Sequence, residues 1–288
     1  MFYSFPIDRA DLKKFGKAAS KVLGETDDER VGRSSEEFIQ VLVHAKKIGT
    51  KGDWECPASA SSALIPTGFK GVSFTAILPP AKVKGKFFES IRDGAFNLQE
   101  KAANDVSMAF LVEYAGHQII LGGDGTKTNW MSLKKGRERA GKVFAPSVVK
   151  LPHHGSKEDS GESVIDFLFK GAPSIPPAIA CISADGRSHP SNEVLDSLIA
   201  RGIHPYCTNL AERCGANALA LVNSSDCNPE LARYLNSIAE DSSSRKNQPC
   251  QGDISVSIQP DGKISVTTEH KHLCPYRGDY SVFNGILH

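Results

Sequence analysis

The stretch VSMAFLVEYAGHQIILGGD, residues 106–124, decides the fold. Two runs rich in β-branched and aromatic residues flank Ala115 and Gly116, and this pattern predicts an antiparallel hairpin. The second run ends in two glycines and Asp124. The hairpin therefore brings a carboxylate to the end of a strand, where the sheet can fix its position while it still reaches solvent.

Two apolar runs further along the chain predict strands that also end in polar residues. Residues 148–151 lead directly into His153 and His154, and residues 178–183 lead into a loop that carries His189. Helical patterns separate or follow these strands at residues 162–169 and 191–202. This alternation of strands and helices predicts an α/β fold, with the helices packed on the faces of a sheet.

The remaining segments suggest how the chain is divided. We expect a helical and loop region over residues 1–71 and one α/β unit over 72–288, with a Cys- and Ser-rich insertion at about 209–249. After the insertion, residues 253–269 alternate apolar and polar side chains around a Pro-Asp-Gly turn, which predicts a closing hairpin.

Composition restricts the class of protein. Lys and Arg number 34 and Asp and Glu 33, so the net charge of +1 gives no overall attraction to nucleic acid or anionic lipid. Seven cysteines without a Cys-x-x-Cys pair argue against a disulfide framework, and Cys181 fits a small buried apolar residue. The chain shows no run of about 18 apolar residues and no signal-peptide layout, so we expect a cytoplasmic protein without a membrane segment.

Four side chains at successive strand ends are candidates for metal binding: Asp124, His153, His154 and His189. Imidazole and carboxylate together suit zinc, manganese or iron, and such a metal makes a bound water acidic enough to attack at neutral pH. A purely structural interpretation is also open, in which Asp124 caps a turn and the histidines bond to loop backbone.

Three segments together resemble the second half of a metallo-β-lactamase-fold hydrolase, most closely the domain attached to ComEC-type DNA-uptake proteins. They are NDVSMAFLVEYAGHQIILGGD, VVKLPHHGS and CISADGRSHPSNEVLDSLIARG. The family's Asn-x-x-Ser strand, Gly-Asp strand end, His-His-Gly-Ser loop and late His-Pro correspond to Asn104 and Ser107, Gly123 and Asp124, residues 153–156, and His189 with Pro190. The resemblance implies an αββα sandwich.

The resemblance also implies roles for these residues. Asp124 would bridge two metal ions, zinc or alternatively manganese, and would be catalytic together with His154; His153, His154 and His189 are the candidate histidine ligands. The family's His-x-His-x-Asp-His motif has no counterpart, because the only histidines before Asp124 are His44 and His117, which we interpret as structural. The chain therefore carries half of a dinuclear site. Either another chain supplies the rest, or the coding sequence has lost its front, or the site is inactive.

A cluster of basic residues between Lys127 and Lys157 points to a substrate. We assign Lys134, Lys135 and Ser156 to binding of a phosphodiester backbone, although an ordinary solvated helix face has the same pattern. Trp130 could stack on a base or belong to the core. We therefore expect a metal-dependent hydrolase that cleaves nucleic acid by attack of a metal-bound hydroxide. The alternative is a scaffold module without catalysis, or one that depends on a partner chain.

Overall fold

The computed structural model describes residues 69–92, 104–184, 188–211 and 250–270, together with Cys274. Over these residues the chain forms a mixed α/β fold. The helices predicted before residue 51, almost all of the insertion at 209–249 and most of the N-terminal region lie outside the described residues. The division of the chain at residue 71 therefore stays a prediction.

Six strands form the main sheet, and their order in the sheet is their order in the chain. Strand β3 pairs antiparallel with β2 and parallel with β4, and the parallel pairing continues to β6. Ala115 and Gly116, both with positive φ, form the turn between β2 and β3, which confirms the predicted hairpin. The strands are β1 (Ser73–Leu78), β2 (Ala109–Tyr114), β3 (His117–Leu121), β4 (Pro146–Lys150), β5 (Ile179–Ile182) and β6 (His204–Cys207).

Helices connect the strands, and two of them begin at a serine whose side chain caps the helix. The hydroxyl of Ser191 accepts a hydrogen bond from the Val194 amide at 3.4 Å, as expected of an N-cap serine. No helix among the described ranges combines the length and the hydropathy needed to cross a membrane. The helices are α1 (Ala81–Arg92), α2 (Lys127–Arg139), a 3-10 turn (Pro152–Gly155), α3 (Lys157–Ser160), α4 (Glu162–Leu168) and α5 (Asn192–Ile199).

The core lies between one face of the main sheet and helices α2, α4 and α5. Ile120, Val149 and Ala180 occupy one row across β3, β4 and β5 and are fully buried. Apolar side chains of all three helices join the same cluster. Trp130 is among them, with no exposed surface, and its indole Nε1 donates to the Gly125 carbonyl at 3.0 Å. Trp130 is therefore a core residue and is not available to stack on a base.

A second, two-stranded sheet consists of β7 (Ile254–Ile258) and β8 (Ile264–Thr268), which confirms the predicted closing hairpin. His117 connects it to the main sheet. The Nε2 of His117 donates to the Gly262 carbonyl at 2.7 Å, and its Nδ1 lies 2.7 Å from the Ser147 hydroxyl. The ring thus bonds on both sides within the protein, and the structural interpretation of His117 is confirmed.

Cys181 lies in β5, as the apolar run predicts, and is partly buried. Burial raises the pKa of its thiol to about 11. The thiol is therefore protonated at neutral pH, which fits a packing residue better than a reactive cysteine.

Candidate functional site

The parallel strands bring the four sequence-predicted residues together at the edge of the main sheet that is formed by the carboxyl ends of these strands. Because β3, β4 and β5 run parallel, the segments that leave their carboxyl ends emerge side by side. The Nε2 atom of His154 lies 3.8 Å from Oδ1 of Asp124. The ring centroids of His153, His154 and His189 are 6.0 to 6.4 Å apart. We call these four residues the strand-end cluster.

Two glycines allow the segment before Asp124 to lie against the loop after β4. The Gly122 amide donates to the Lys150 carbonyl at 3.0 Å, and the Gly123 carbonyl accepts from the His153 amide at 2.8 Å. A Cβ atom on Gly122 would stand 2.6 Å from the Pro152 nitrogen. Gly123 has a φ of +55°, and a Cβ there would overlap the Met108 carbonyl oxygen. No larger residue fits this approach, so the Gly-Gly pair fixes where Asp124 lies.

The segment before β2 positions Asp124 and the start of helix α2. The hydroxyl of Ser107 accepts from the Asp124 amide at 2.9 Å. The Asp105 carboxylate accepts from the Thr126 hydroxyl at 2.9 Å, and the Asp105 carbonyl accepts from Asn129 Nδ2 at 2.6 Å. The resemblance drew attention to Ser107, whereas Asp105 was missed because its partners lie about twenty residues away in the sequence.

His154 is held in the orientation of a metal ligand. Its Nδ1 lies 2.9 Å from the Ser183 carbonyl oxygen, and because a carbonyl oxygen only accepts, Nδ1 carries the proton. In the neutral ring the lone pair is then on Nε2, the atom that faces Asp124. The two side chains are 41% and 44% exposed, so an ion could reach the space between them.

His153 is fixed by a different partner. Its Nδ1 donates to Oδ2 of Asp159 at 2.7 Å, and the other carboxylate oxygen of Asp159 accepts from the Lys127 amide at 2.8 Å. Asp159 therefore connects the loop after β4 to the first residue of helix α2. Sequence reasoning missed this residue, although an aspartate six positions after a candidate histidine, on the next short helix, was a usable signal.

Both histidines that follow Pro152 adopt left-handed backbone conformations, with φ of +40° for His153 and +55° for His154. Each such conformation costs a residue with a Cβ about 1–2 kcal/mol. The bonds of the two rings to Asp159 and Ser183, together with the backbone bond to Gly123, offset that cost. Strain of this kind clusters at functional sites, and here it turns both rings toward the same edge of the sheet.

The cluster offers part of a metal coordination shell. Two ligand atoms of one tetrahedral zinc ion, each ~2.1 Å from the metal, lie about 3.4 Å apart. The 3.8 Å between His154 Nε2 and Asp124 Oδ1 is close to this spacing. Within the described residues, however, no group of three or more His, Cys, Asp or Glu side chains is placed to hold a metal ion. Asp124 and His154 therefore fit as two donors that need further ligands.

The three residues assigned to substrate lie outside the strand-end cluster, although the Ser156 amide donates to the His153 carbonyl at 2.8 Å. Ser156 is only 2% exposed, and its hydroxyl caps helix α3 by accepting from the Asp159 amide at 3.1 Å, so we remove it from the substrate-binding set. Lys134 and Lys135 are seven and eight residues along helix α2 from Lys127, the first residue of the helix, which is a rise of about 10–12 Å. A substrate would have to extend along helix α2 to contact both these lysines and the strand-end cluster.

Two other members of the basic run are engaged within the protein. Arg137 stacks its guanidinium 3.8 Å from the Phe144 ring centroid, and burial lowers its pKa. Lys157 donates to Glu193 at 2.5 Å, and that hydrogen bond raises the pKa of Lys157. In contrast, the side chains of Lys127, Lys135 and Arg139 are exposed along α2.

The fold and the cluster together define a class: a mixed α/β protein with imidazole and carboxylate side chains at the carboxyl edge of its parallel strands. Comparison with family models, with curated proteins and with solved structures finds no match for this chain. Function is therefore inferred from the geometry of the cluster and from its chemistry.

Gly155 makes the contact between the loop after β4 and the loop before helix α5. Its φ is +78°, and its carbonyl accepts from the Ser191 amide at 3.1 Å. An added Cβ would lie 2.8 Å from the Pro190 Cβ. The Gly of His-His-Gly-Ser and the Pro of His-Pro are therefore packed against each other, with no room for a side chain at residue 155.

We expect Gly155→Ala to lower the free energy of unfolding by about 1–2 kcal/mol from the left-handed φ alone, with the Pro190 overlap adding to the loss. The matched control is Gly136→Ala, in the middle of helix α2 with nothing within 4 Å of the new methyl group. That change should stabilise the protein by about 0.5–1 kcal/mol. Urea unfolding measures the free energy of unfolding of both variants. Equal effects of the two changes would contradict the contact between Gly155 and Pro190.

Proposed function

We propose that the chain is a metal-dependent hydrolase of the metallo-β-lactamase type, and that the strand-end cluster is one part of a dinuclear metal site. The observation that carries the proposal is the orientation of His154. Its Nδ1 donates to the Ser183 carbonyl, and its Nε2 faces the Asp124 carboxylate at 3.8 Å. A histidine that donates one ring nitrogen to a backbone carbonyl presents the other to a metal in many metalloproteins.

The layers of the fold support the same class. Helices α2, α4 and α5 pack against a single face of the main sheet, as they do in one half of an αββα sandwich. The residues that match the family's motifs also meet in space. Gly155 touches Pro190, and Ser107 bonds to the Asp124 amide. A set of separate motifs that converges on one edge is what the proposed family requires.

Each residue of the cluster has a part in this proposal. Asp124 and His154 hold metal, His189 is the next candidate ligand, and His153 is either a ligand or a positioning residue fixed by Asp159. A bound zinc ion, or manganese in its place, supplies an acidified water and a Lewis acid. The missing ligands come from a His-x-His-x-Asp-His segment in another chain.

Nucleic acid is the proposed substrate, and a cytoplasmic location is part of the proposal. Helix α2 begins beside the cluster, where the Lys127 amide bonds to Asp159. The exposed side chains of Lys127, Lys135 and Arg139 follow along the same helix. A phosphodiester backbone lying on α2 would therefore meet positive charge while one of its linkages stands at the cluster.

A scaffold module is the second candidate function. The observation in its favour is that the described residues place fewer than three metal-binding side chains together. In that case the cluster holds its loops in place by the hydrogen bonds described above, and neither metal nor hydrolysis is involved. Metal binding separates the two candidates.

We expect calorimetric titration of the full chain with zinc chloride to show weak binding of fewer than two ions, because two donors close neither half of a dinuclear site. Asp124→Ala and His154→Ala should each weaken zinc binding by about tenfold or more. Asp261→Ala, an aspartate in the turn between β7 and β8, is the control and should bind as the unchanged chain does. Zinc binding that survives both changes would favour the scaffold.

Hydrolysis is tested after the missing half of the metal site has been restored. We expect co-expression with a metallo-β-lactamase-type first half that carries His-x-His-x-Asp-His to give cleavage of bis(p-nitrophenyl) phosphate. Asp124→Ala should abolish that cleavage, and His189→Ala should lower kcat by about 100-fold or more, because each removes a ligand group. Asp261→Ala should leave it unchanged. Full activity of the Asp124 variant would show that the metal assignment is wrong.

Binding of single-stranded DNA tests the substrate class. If Lys135 and Arg139 each neutralise a phosphate, the combined change to Gln should lower the slope of log K against log salt concentration by about 1.4. Two exposed lysines away from helix α2, Lys70 and Lys263, are the matched control when changed together to Gln. Equal decreases of this slope in the two double variants would mean that the attraction of the chain to DNA is non-specific.

A further inference from the structure

A cleft of about 430 Å³ opens on the side of the main sheet where the parallel strands begin, away from the strand-end cluster. Ile203, in its wall, comes directly before β6, whose carboxyl end lies at the edge of the cluster. Small-molecule sites have volumes of about 300–1,000 Å³, so the cleft is large enough for a ligand of that kind. Its lining residues are Lys134, Asp166, Phe167, Phe169, Lys170, Ala172, Pro173, Ser174, Arg201 and Ile203.

Positive charges outnumber negative charges in the cleft. Three cations face one carboxylate, and that carboxylate, Asp166, already accepts from Arg201 Nε at 2.8 Å. Arg201 is further held by the Ser197 carbonyl at 2.7 Å, so it is fixed in the wall. Among the residues that the structure describes, neither Lys134 nor Lys170 has an ion pair or a side-chain hydrogen bond. Two positive charges are therefore available to a ligand.

Apart from Ser174, the uncharged residues of the lining are apolar. Phe167, Phe169 and Ile203 border the cleft from the buried core, and Ala172 and Pro173 also line it. A bare inorganic anion would leave this surface without a partner, whereas an uncharged apolar molecule would leave both lysines unused. The lining matches a molecule that has an anionic end and an apolar body.

We propose that this cleft is a second binding site, for a small phosphate monoester carried on an apolar or aromatic group, such as a nucleoside monophosphate. A phosphate monoester carries a charge of about −1.5 to −2 at pH 7 and offers three acceptor oxygens. This charge matches Lys134 and Lys170 together, which a monocarboxylate does not. The proposal is independent of the metal site, since no residue of the cleft belongs to the strand-end cluster.

The test is calorimetric titration of the full chain with adenosine monophosphate, adenosine and inorganic phosphate as separate probes. We expect adenosine monophosphate to bind with the highest affinity, because it alone has both the charge and the apolar body. The combined change Lys134→Gln and Lys170→Gln should weaken its binding by about tenfold or more, since two charge-assisted contacts are lost. Circular dichroism of the double variant checks that it is folded.

The matched control is the pair Lys70→Gln and Lys263→Gln, which removes the same charge from exposed positions outside the cleft. It should change the affinity for adenosine monophosphate less than twofold. Three results would overturn the proposal: no binding of adenosine monophosphate at millimolar concentration, equal losses in both pairs of variants, or equal affinity for adenosine monophosphate and inorganic phosphate.

Discussion

The hydrogen bond from the His153 amide to the Gly123 carbonyl is the interaction on which the site depends. It extends the pairing of β3 and β4 beyond the ends of both strands. The pairing of β4 and β5 is extended in a similar way, because the Leu151 amide, just after β4, donates to the Cys181 carbonyl of β5 at 2.9 Å. Because the ladder continues past the strands, the loops leave the sheet already aligned, and the side chains they carry lie close together.

Two adjacent histidines with the same unusual backbone conformation are given different environments. His154 is held by a backbone carbonyl and faces Asp124, while His153 is held by the carboxylate of Asp159, which is itself fixed by the Lys127 amide. The carbonyl partner places the N–H of His154 at Nδ1 and leaves Nε2 facing Asp124, whereas the carboxylate partner adds a negative charge next to the His153 ring. The sequence left the choice between the two rings open, and these partners favour His154 as the ligand.

Local patterns predicted the parts of the fold that depend on neighbouring residues. The hairpin around Ala115 and Gly116, the helix that begins after Ser191 and the strand predicted over residues 148–151, which the structure places at Pro146–Lys150, follow from alternation, turn residues and helical periodicity. Asp105 could not be assigned in this way, because its importance lies in partners more than twenty residues away that only the fold brings to it. The substrate role of Ser156 failed for the same reason, since only the structure shows its hydroxyl capping a helix.

The six strands stand in the sheet in the order in which they occur in the chain, so each one pairs with the strands that precede and follow it. In such a topology every pairing joins two strands that are consecutive in the chain, although the parallel partners are still 25 to 31 residues apart. During synthesis, each new strand would find its partner already in place at the growing edge. The sheet can therefore be assembled from its first strand to its last as the ribosome releases it, without waiting for a distant segment.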